Sequence, residues 1–149
     1  MAHDFLHVIQ AKKQGVIHMG RYIIIGIISG VLFGIMDGIF NANPLAQRLY
    51  KVFKPIARKS INMTVGILID LIYGFALAGM FILFQGSLPF TYKLLNGFLY
   101  GVLIWFLRVV MQVASQWMMF NIPVKTMIYT LSFGLVEMLV LGLLYGLTL

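Results

Sequence analysis

Apolar residues gather into four long runs, roughly residues 22–40, 63–84, 95–114 and 126–147, with short polar breaks between them. Each run is close to the ~20 residues that carry a helix across a hydrocarbon core about 30 Å thick. None alternates apolar with polar as a strand of a membrane barrel does. In lipid every backbone N–H and C=O must find its partner within the segment, so such runs predict helices. The breaks carry the expected punctuation: Asn41-Ala42-Asn43-Pro44, Gln85-Gly86-Ser87-Leu88-Pro89 and Asn121-Ile122-Pro123. Four spans put both chain ends on one face, side A, and the 41–62 and 115–125 connections on the other, side B.

The first connection has a pattern of its own. Leu45, Leu49, Val52, Phe53 and Ile56 recur at helical spacing, and Arg48, Lys51, Lys54, Arg58 and Lys59 fill the gaps. This predicts a basic amphipathic segment over about 45–60 lying on the membrane surface, bent or ended at Pro55. The N-terminal stretch, with Phe5, Leu6 and Ile9 followed by Lys12 and Lys13, is a weaker version of the same pattern. Tyr92, Trp117 and Tyr129 fall near span ends, where amphipathic rings favour the headgroup zone.

Composition strengthens the membrane assignment. Of 149 residues, 61% are hydrophobic and 10% charged, against about 45–50% and about 25% in soluble domains. A soluble chain of this length buries only about 68–70% of its unfolded surface, too little to hide that much apolar area. The sequence therefore predicts an all-α polytopic membrane protein, residues 1–149 forming one membrane domain: four transmembrane helices in a Gly-rich bundle plus the interfacial segment. Lys12, Lys13 and Arg21 before the first run resemble a signal-peptide n-region, but no good small-residue cleavage site follows, and the run is read as a retained span.

The formal charge of +7 fits membrane topology rather than nucleic-acid binding. Side B carries Arg48, Lys51, Lys54, Arg58, Lys59 and Lys125, and side A carries Lys12, Lys13, Arg21 and Lys93. The positive-inside rule then favours side B as cytoplasmic. The absence of Cys excludes thiolate metal sites and disulfide chemistry. The histidines, His3, His7 and His18, all precede the first run, so a haem or a His base within the bilayer has no ligand there. His3 and His7 share a helical face, but two ligands on a terminus are a poor metal site. No Walker-type loop is present. No catalytic constellation, cofactor or metal site is expected. Asn62-Met63-Thr64 fits the glycosylation pattern but abuts the bilayer.

Two features point to how the helices meet. Gly26, Gly30, Gly34 and Gly38 recur every fourth residue; Gly66 and Gly74 mark the second span, Gly97 and Gly101 the third, and Gly134, Gly142 and Gly146 the fourth. Such stripes let backbones approach closely, within one bundle or between subunits. Asp37, Asp70, Arg108 and Glu137 give each span one ionisable group, each costing ~2.5–3.5 kcal/mol near the bilayer centre on insertion scales. At ~1.5 Å per residue, Asp37, Asp70 and Arg108 fall in one leaflet with Glu137 deeper. They are expected to form a buried network that fixes helix register, or an ion or proton path with Glu137 as carrier. Arg108, Gln112 and Ser115 are expected to line the interior at i, i+4, i+7. A parallel duplication is a further possibility: Gly30-Val31-Leu32 precedes Asp37 as Gly101-Val102-Leu103 precedes Arg108, and Gly66 and Gly74 match Gly134 and Gly142.

The Gly-rich first span, Gly97-Phe98-Leu99-Tyr100-Gly101 with Trp105, and Gly142-Leu143-Leu144-Tyr145-Gly146 resemble small four-helix bacterial integral membrane proteins of uncharacterised families. The resemblance implies a prokaryotic cell-membrane location and no particular chemistry. Small multidrug-resistance transporters are similar in helix count only; their coupling Glu lies in the first helix, where this chain has Asp37 near the far end. The function expected is a non-catalytic subunit of a membrane complex or a homo-oligomer, meeting the lipid bilayer and other membrane subunits. The alternative is a small proton- or cation-coupled transporter or channel using Glu137 and Asp70.

Overall fold

The computed structural model describes residues 2–55 and 62–149, with the side chains of residues 2–18 outside that description. The described residues are mostly helical, with short non-helical connections and no strand. In chain order they form α1 (Ala2–Ala42), α2 (Pro44–Leu49) running into a 3-10 turn (Tyr50–Phe53), α3 (Met63–Phe84), α4 (Lys93–Trp105), α5 (Met111–Met119) and α6 (Val124–Thr148). A π-helical turn, Phe106–Val110, joins α4 to α5. Four segments are long and apolar enough to cross a membrane: Met19–Ala42, Met63–Ser87, Lys93–Met119 and Val124–Thr148. The chain is a multi-pass membrane protein built as a four-helix bundle. Each span is longer than its apolar run predicts, because polar residues at the breaks continue the helix.

Local chemistry sets the joints. Asn43 caps α2 by accepting from the Ala46 amide at 2.8 Å, with Pro44 in the first turn, where its missing N–H costs nothing. Asn62 caps α3 by accepting from the amides of Thr64 and Val65. On side A, Asn96 clamps the loop before α4, accepting from the Phe90 amide and donating to the Phe90 carbonyl. The basic segment is a short helix and a 3-10 turn, not one helix to residue 60. Arg48, Lys51 and Lys54 are exposed, whereas Arg58 and Lys59 lie outside the described residues.

The bundle is two tight hairpins, α1 with α3 and α4/α5 with α6, each sealed backbone to backbone through glycine. A Cβ on Gly74 would stand 2.7 Å from Gly30 Cα and from Gly26 O, and one on Gly30 would stand 2.6 Å from Leu71 Cα. In the second hairpin a Cβ on Gly142 would stand 2.9 Å from Gly101 Cα, and one on Gly101 would stand 2.6 Å from Met138 O. The positions match pair by pair under the repeat suggested by the sequence: Gly26, Gly30, Leu71 and Gly74 in one hairpin, Gly97, Gly101, Leu139 and Gly142 in the other. The backbone contacts of Gly30 match those of Gly101, and those of Gly74 match those of Gly142, which supports a duplicated hairpin, while Gly26 meets the Phe75 ring where Gly97 meets the Gly142 and Gly146 backbone. Lipid supplies no hydrophobic drive between helices, so close dispersion contact of this kind carries much of the cohesion.

Between the hairpins, the side A half is filled by Ile25, Phe33, Leu77, Phe81, Tyr100, Ile104, Met138, Leu141 and Tyr145. Phe81, Tyr100 and Tyr145 meet edge-on or tilted, and the Tyr100 hydroxyl donates to the Leu77 carbonyl at 2.7 Å. The side B half is not filled in this way, and the polar groups collect there.

Candidate functional site

Arg108 sits within the π-helical turn, where an inserted residue locally breaks the α-helical register, a feature often found at functional sites. The insertion also corrects the predicted polar stripe. Beyond the turn the helix face is rotated, so Val109 and Val113 are buried, Ser115 is exposed away from the interior, and Gln112, though exposed, stays with Arg108 on the wall of a cavity. Tyr129 is corrected as well. It is buried, donates to the Phe40 carbonyl at 2.7 Å and accepts from Asn43 Nδ2, tying α6 to the end of α1. Tyr92 and Trp117 are exposed at 74% and 65%.

The Arg108 guanidinium touches all three other spans. Nη1 stands 3.7 Å from Glu137 Oε2 on α6 and 3.9 Å from Met138 Sδ. The guanidinium carbon lies 4.5 Å from the Phe33 ring centre on α1 and 4.6 Å from that of Tyr73 on α3. Weak hydration and a planar charge suit Arg to such a place. Its side chain is 26% exposed and that of Glu137 only 7%. This is the one ion pair among the described residues. Glu137 Oε1 is buried with no hydrogen-bond partner, an expensive condition for a carboxylate oxygen.

The expected meeting of Asp37, Asp70 and Arg108 takes a different form. Arg108 reaches down to Glu137, and neither aspartate closes on it. Asp37 lines a cavity of about 120 Å³ together with Arg108, Glu137, Gln112 and Thr130. Phe40, Phe133 and Tyr50 supply its aromatic wall. Asp70 is outside that cavity: its carboxylate lies against Gly34 in the α1/α3 seam, where a Cβ on Gly34 would meet Asp70 Oδ2 at 2.9 Å. It is half-buried, and among the described residues no hydrogen bond or cation reaches it. One turn nearer side B, Gly38 and Gly66, expected to pack, face open space. The seam thus closes at Gly30 and Gly74 and opens toward side B around Asp70. Gly134 packs against the Val109 side chain.

A second cavity of about 430 Å³ shares Tyr50, Gln112 and Thr130 with the first and adds Phe53, Lys54 and Gln116. Tyr50, Gln112 and Thr130 therefore stand between the space at the Arg108–Glu137 pair and the one beside Lys54. The Tyr50 hydroxyl lies 3.4 Å from Thr130 Oγ1. Burial pushes its pKa above the usual 10.0, with the Thr130 hydrogen bond pulling the other way. Tyr50 therefore keeps its proton at neutral pH and can donate. Among the described residues no group of three metal-ligating side chains occurs, and the side chains of His3 and His7 lie outside the description. No family model, curated protein or solved structure matches the chain, so the functional reading rests on this geometry.

Proposed function

We propose that the chain is a non-catalytic integral membrane protein that works as a packed subunit of a membrane assembly, with another subunit or a second copy seated on the open α1/α3 seam. Asp70 carries this reading. It lies roughly 10 Å in from the side B end of its span, counted at ~1.5 Å per residue, half-exposed and without an ion partner among the described residues. A carboxylate left to acyl chains at that depth is costly. Gly38 and Gly66 beside it leave room for another helix to approach. The cell membrane is the proposed location, with the basic 45–60 segment and the region of Lys125 in the cytoplasm, in keeping with the positive charge of that face.

The test is native mass spectrometry of the chain extracted with its surrounding lipid. A dimer or a stoichiometric complex is expected for the wild type, and monomer for Gly66→Leu, which fills the open seam without touching the closed one. A wild-type monomer throughout would overturn the reading. A second reading, proton- or cation-coupled transport with Glu137 and Asp70 as carriers, is favoured by the cavity that Glu137 lines together with Asp37 and Arg108. It requires proton-linked flux in liposomes that Glu137→Gln abolishes.

A further inference from the structure

The larger side B cavity, about 430 Å³, falls within the roughly 300–1,000 Å³ usual for ligand sites, and neither packing nor assembly uses it. Three elements wall it: Tyr50, Phe53 and Lys54 from the 3-10 turn and its end, Gln112 and Gln116 from α5, and Thr130 from α6. The turn is fastened to α6, which fixes that wall. Thr126 donates to the Leu49 carbonyl at 3.1 Å, and the Tyr50 ring meets that of Tyr129 edge-on at 5.9 Å. The polar groups of the walls are unevenly spent. Thr130 Oγ1 donates to the Thr126 carbonyl at 3.0 Å, so the proton between it and Tyr50 is the Tyr50 proton. The Tyr50 oxygen keeps its lone pairs as acceptors. Gln112 and Gln116 stand one turn apart on one face of α5, and neither amide makes a side-chain hydrogen bond among the described residues, in contrast to Tyr50 and Thr130. The Lys93–Met119 span of 27 residues is about 40 Å long at ~1.5 Å per residue, enough to reach through the headgroup zones. Gln116 then stands at headgroup level and Gln112 at the hydrocarbon edge, where an amide without a partner is costly.

We propose that this cavity binds an anionic phosphodiester with a hydroxylated head, a group of the phosphoglycerol type, borne by a phospholipid or free. Lys54 holds the phosphate charge. The two glutamine amides, each donor and acceptor, and the Tyr50 oxygen, an acceptor, take the hydroxyls of the head. A bare phosphate uses the donors alone and leaves the Tyr50 and amide oxygens unmatched. A zwitterionic head brings an ammonium beside Lys54, and among the described residues no carboxylate lines the cavity to receive it. Leu107 and Met111, nearer the midplane on the same stretch of helix, are exposed and offer apolar surface to the acyl chains of the lipid form. The inference does not rest on the assembly reading, since neither Asp70 nor Gly38 and Gly66 line this cavity.

The test measures dissociation constants for the full chain in non-ionic detergent from the dose-dependence of its thermal unfolding. The probes are dihexanoylphosphatidylglycerol, dihexanoylphosphatidylmethanol, which has the same charge and no head hydroxyl, and free glycerophosphoglycerol. The wild type is expected to bind the glycerol lipid about tenfold more tightly than the methanol lipid, the worth of one or two hydrogen bonds. Gln112→Leu, at an exposed position, brings the glycerol lipid to the level of the methanol lipid and leaves the latter unchanged. Lys54→Gln, also at an exposed position, weakens both lipids alike, whereas Lys125→Gln, which removes a side B cation outside the cavity, changes neither. Competition by glycerophosphoglycerol supports the site with a soluble ligand, and lack of competition supports it with the lipid. Equal binding of the two lipids by the wild type, an equal effect of Gln112→Leu on both, or a loss in Lys125→Gln as large as that in Lys54→Gln, overturns the proposal.

Discussion

Alanine at Gly30 separates a backbone seam from an ordinary side-chain contact. The added Cβ would stand 2.6 Å from Leu71 Cα and 3.0 Å from Asp70 O, where ordinary contacts lie at 3.4–4 Å. Both obstacles include backbone atoms, so no rotamer change relieves them, and the hairpin must open by about 1 Å, forfeiting up to half of each dispersion contact along the seam. Overpacking of this kind costs about 1–3 kcal/mol. Exchanging Gly for Ala in a helix returns about 1 kcal/mol. The net expectation for Gly30→Ala is a loss of about 1–2 kcal/mol, taken near the upper end of the overpacking range because backbone cannot yield. The duplicated geometry predicts a similar loss for Gly101→Ala, whose Cβ would stand 2.6 Å from Met138 O. Gly38→Ala faces open space and is expected to gain up to about 1 kcal/mol. The assay is reversible unfolding in mixed micelles, with the three variants compared at one detergent fraction. The same sign for all three would refute the seam as drawn.

Removing the guanidinium with Arg108→Leu strands Glu137 and is expected to cost about 3–5 kcal/mol, while adding Glu137→Gln recovers part of that loss; an additive double-mutant cycle would argue against a direct pair. Tyr129→Phe loses the bonds to Phe40 and Asn43, is expected to cost about 1 kcal/mol per bond, and should speed tryptic cleavage after Arg48 and Lys51; unchanged cleavage would contradict the joint. Because the chain has no Cys, single cysteines at Lys125 and Gly86 can be labelled from outside with an impermeant maleimide; Gly86→Cys is expected to react and Lys125→Cys to remain protected in intact cells, and the reverse would invert the orientation.

The four spans were legible because run length and breaker residues are local properties. Asn43 and Asn62 end or begin helices for reasons written in their neighbours. The glycine stripes announced close packing without saying which members meet. A repeat of four residues drifts by about 40° per step on a helix of 3.6 residues per turn. Gly38 has therefore turned about 120° away from Gly26, and it faces open space while Gly26 packs on Phe75. The charged site was legible in composition and hidden in geometry. Depth predicted Asp37, Asp70 and Arg108 together with Glu137 below them, whereas Arg108 pairs with Glu137 and Asp70 lies in the α1/α3 seam; the π-helical turn rotates the face beyond Arg108, so Ser115 left the interior while Gln112 stayed on the cavity wall. Nothing in the pattern marked it, because a π turn needs no proline or glycine. Tyr129 looked like a headgroup ring because its place near a span end is local, whereas its partners, Phe40 and Asn43, lie far away in the chain.

Glu137 is the chain's one glutamate, so a sample in lipid carrying ¹³C-glutamate and ¹⁵N-arginine reports a single carboxyl. Rotational-echo dipolar dephasing by guanidinium nitrogen then measures the separation that holds the four spans around Arg108. Strong dephasing, as the 3.7 Å Nη1–Oε2 distance requires, and its disappearance in Arg108→Lys labelled the same way, are the predicted results. A Glu137 carboxyl left undephased in the wild type would contradict the account.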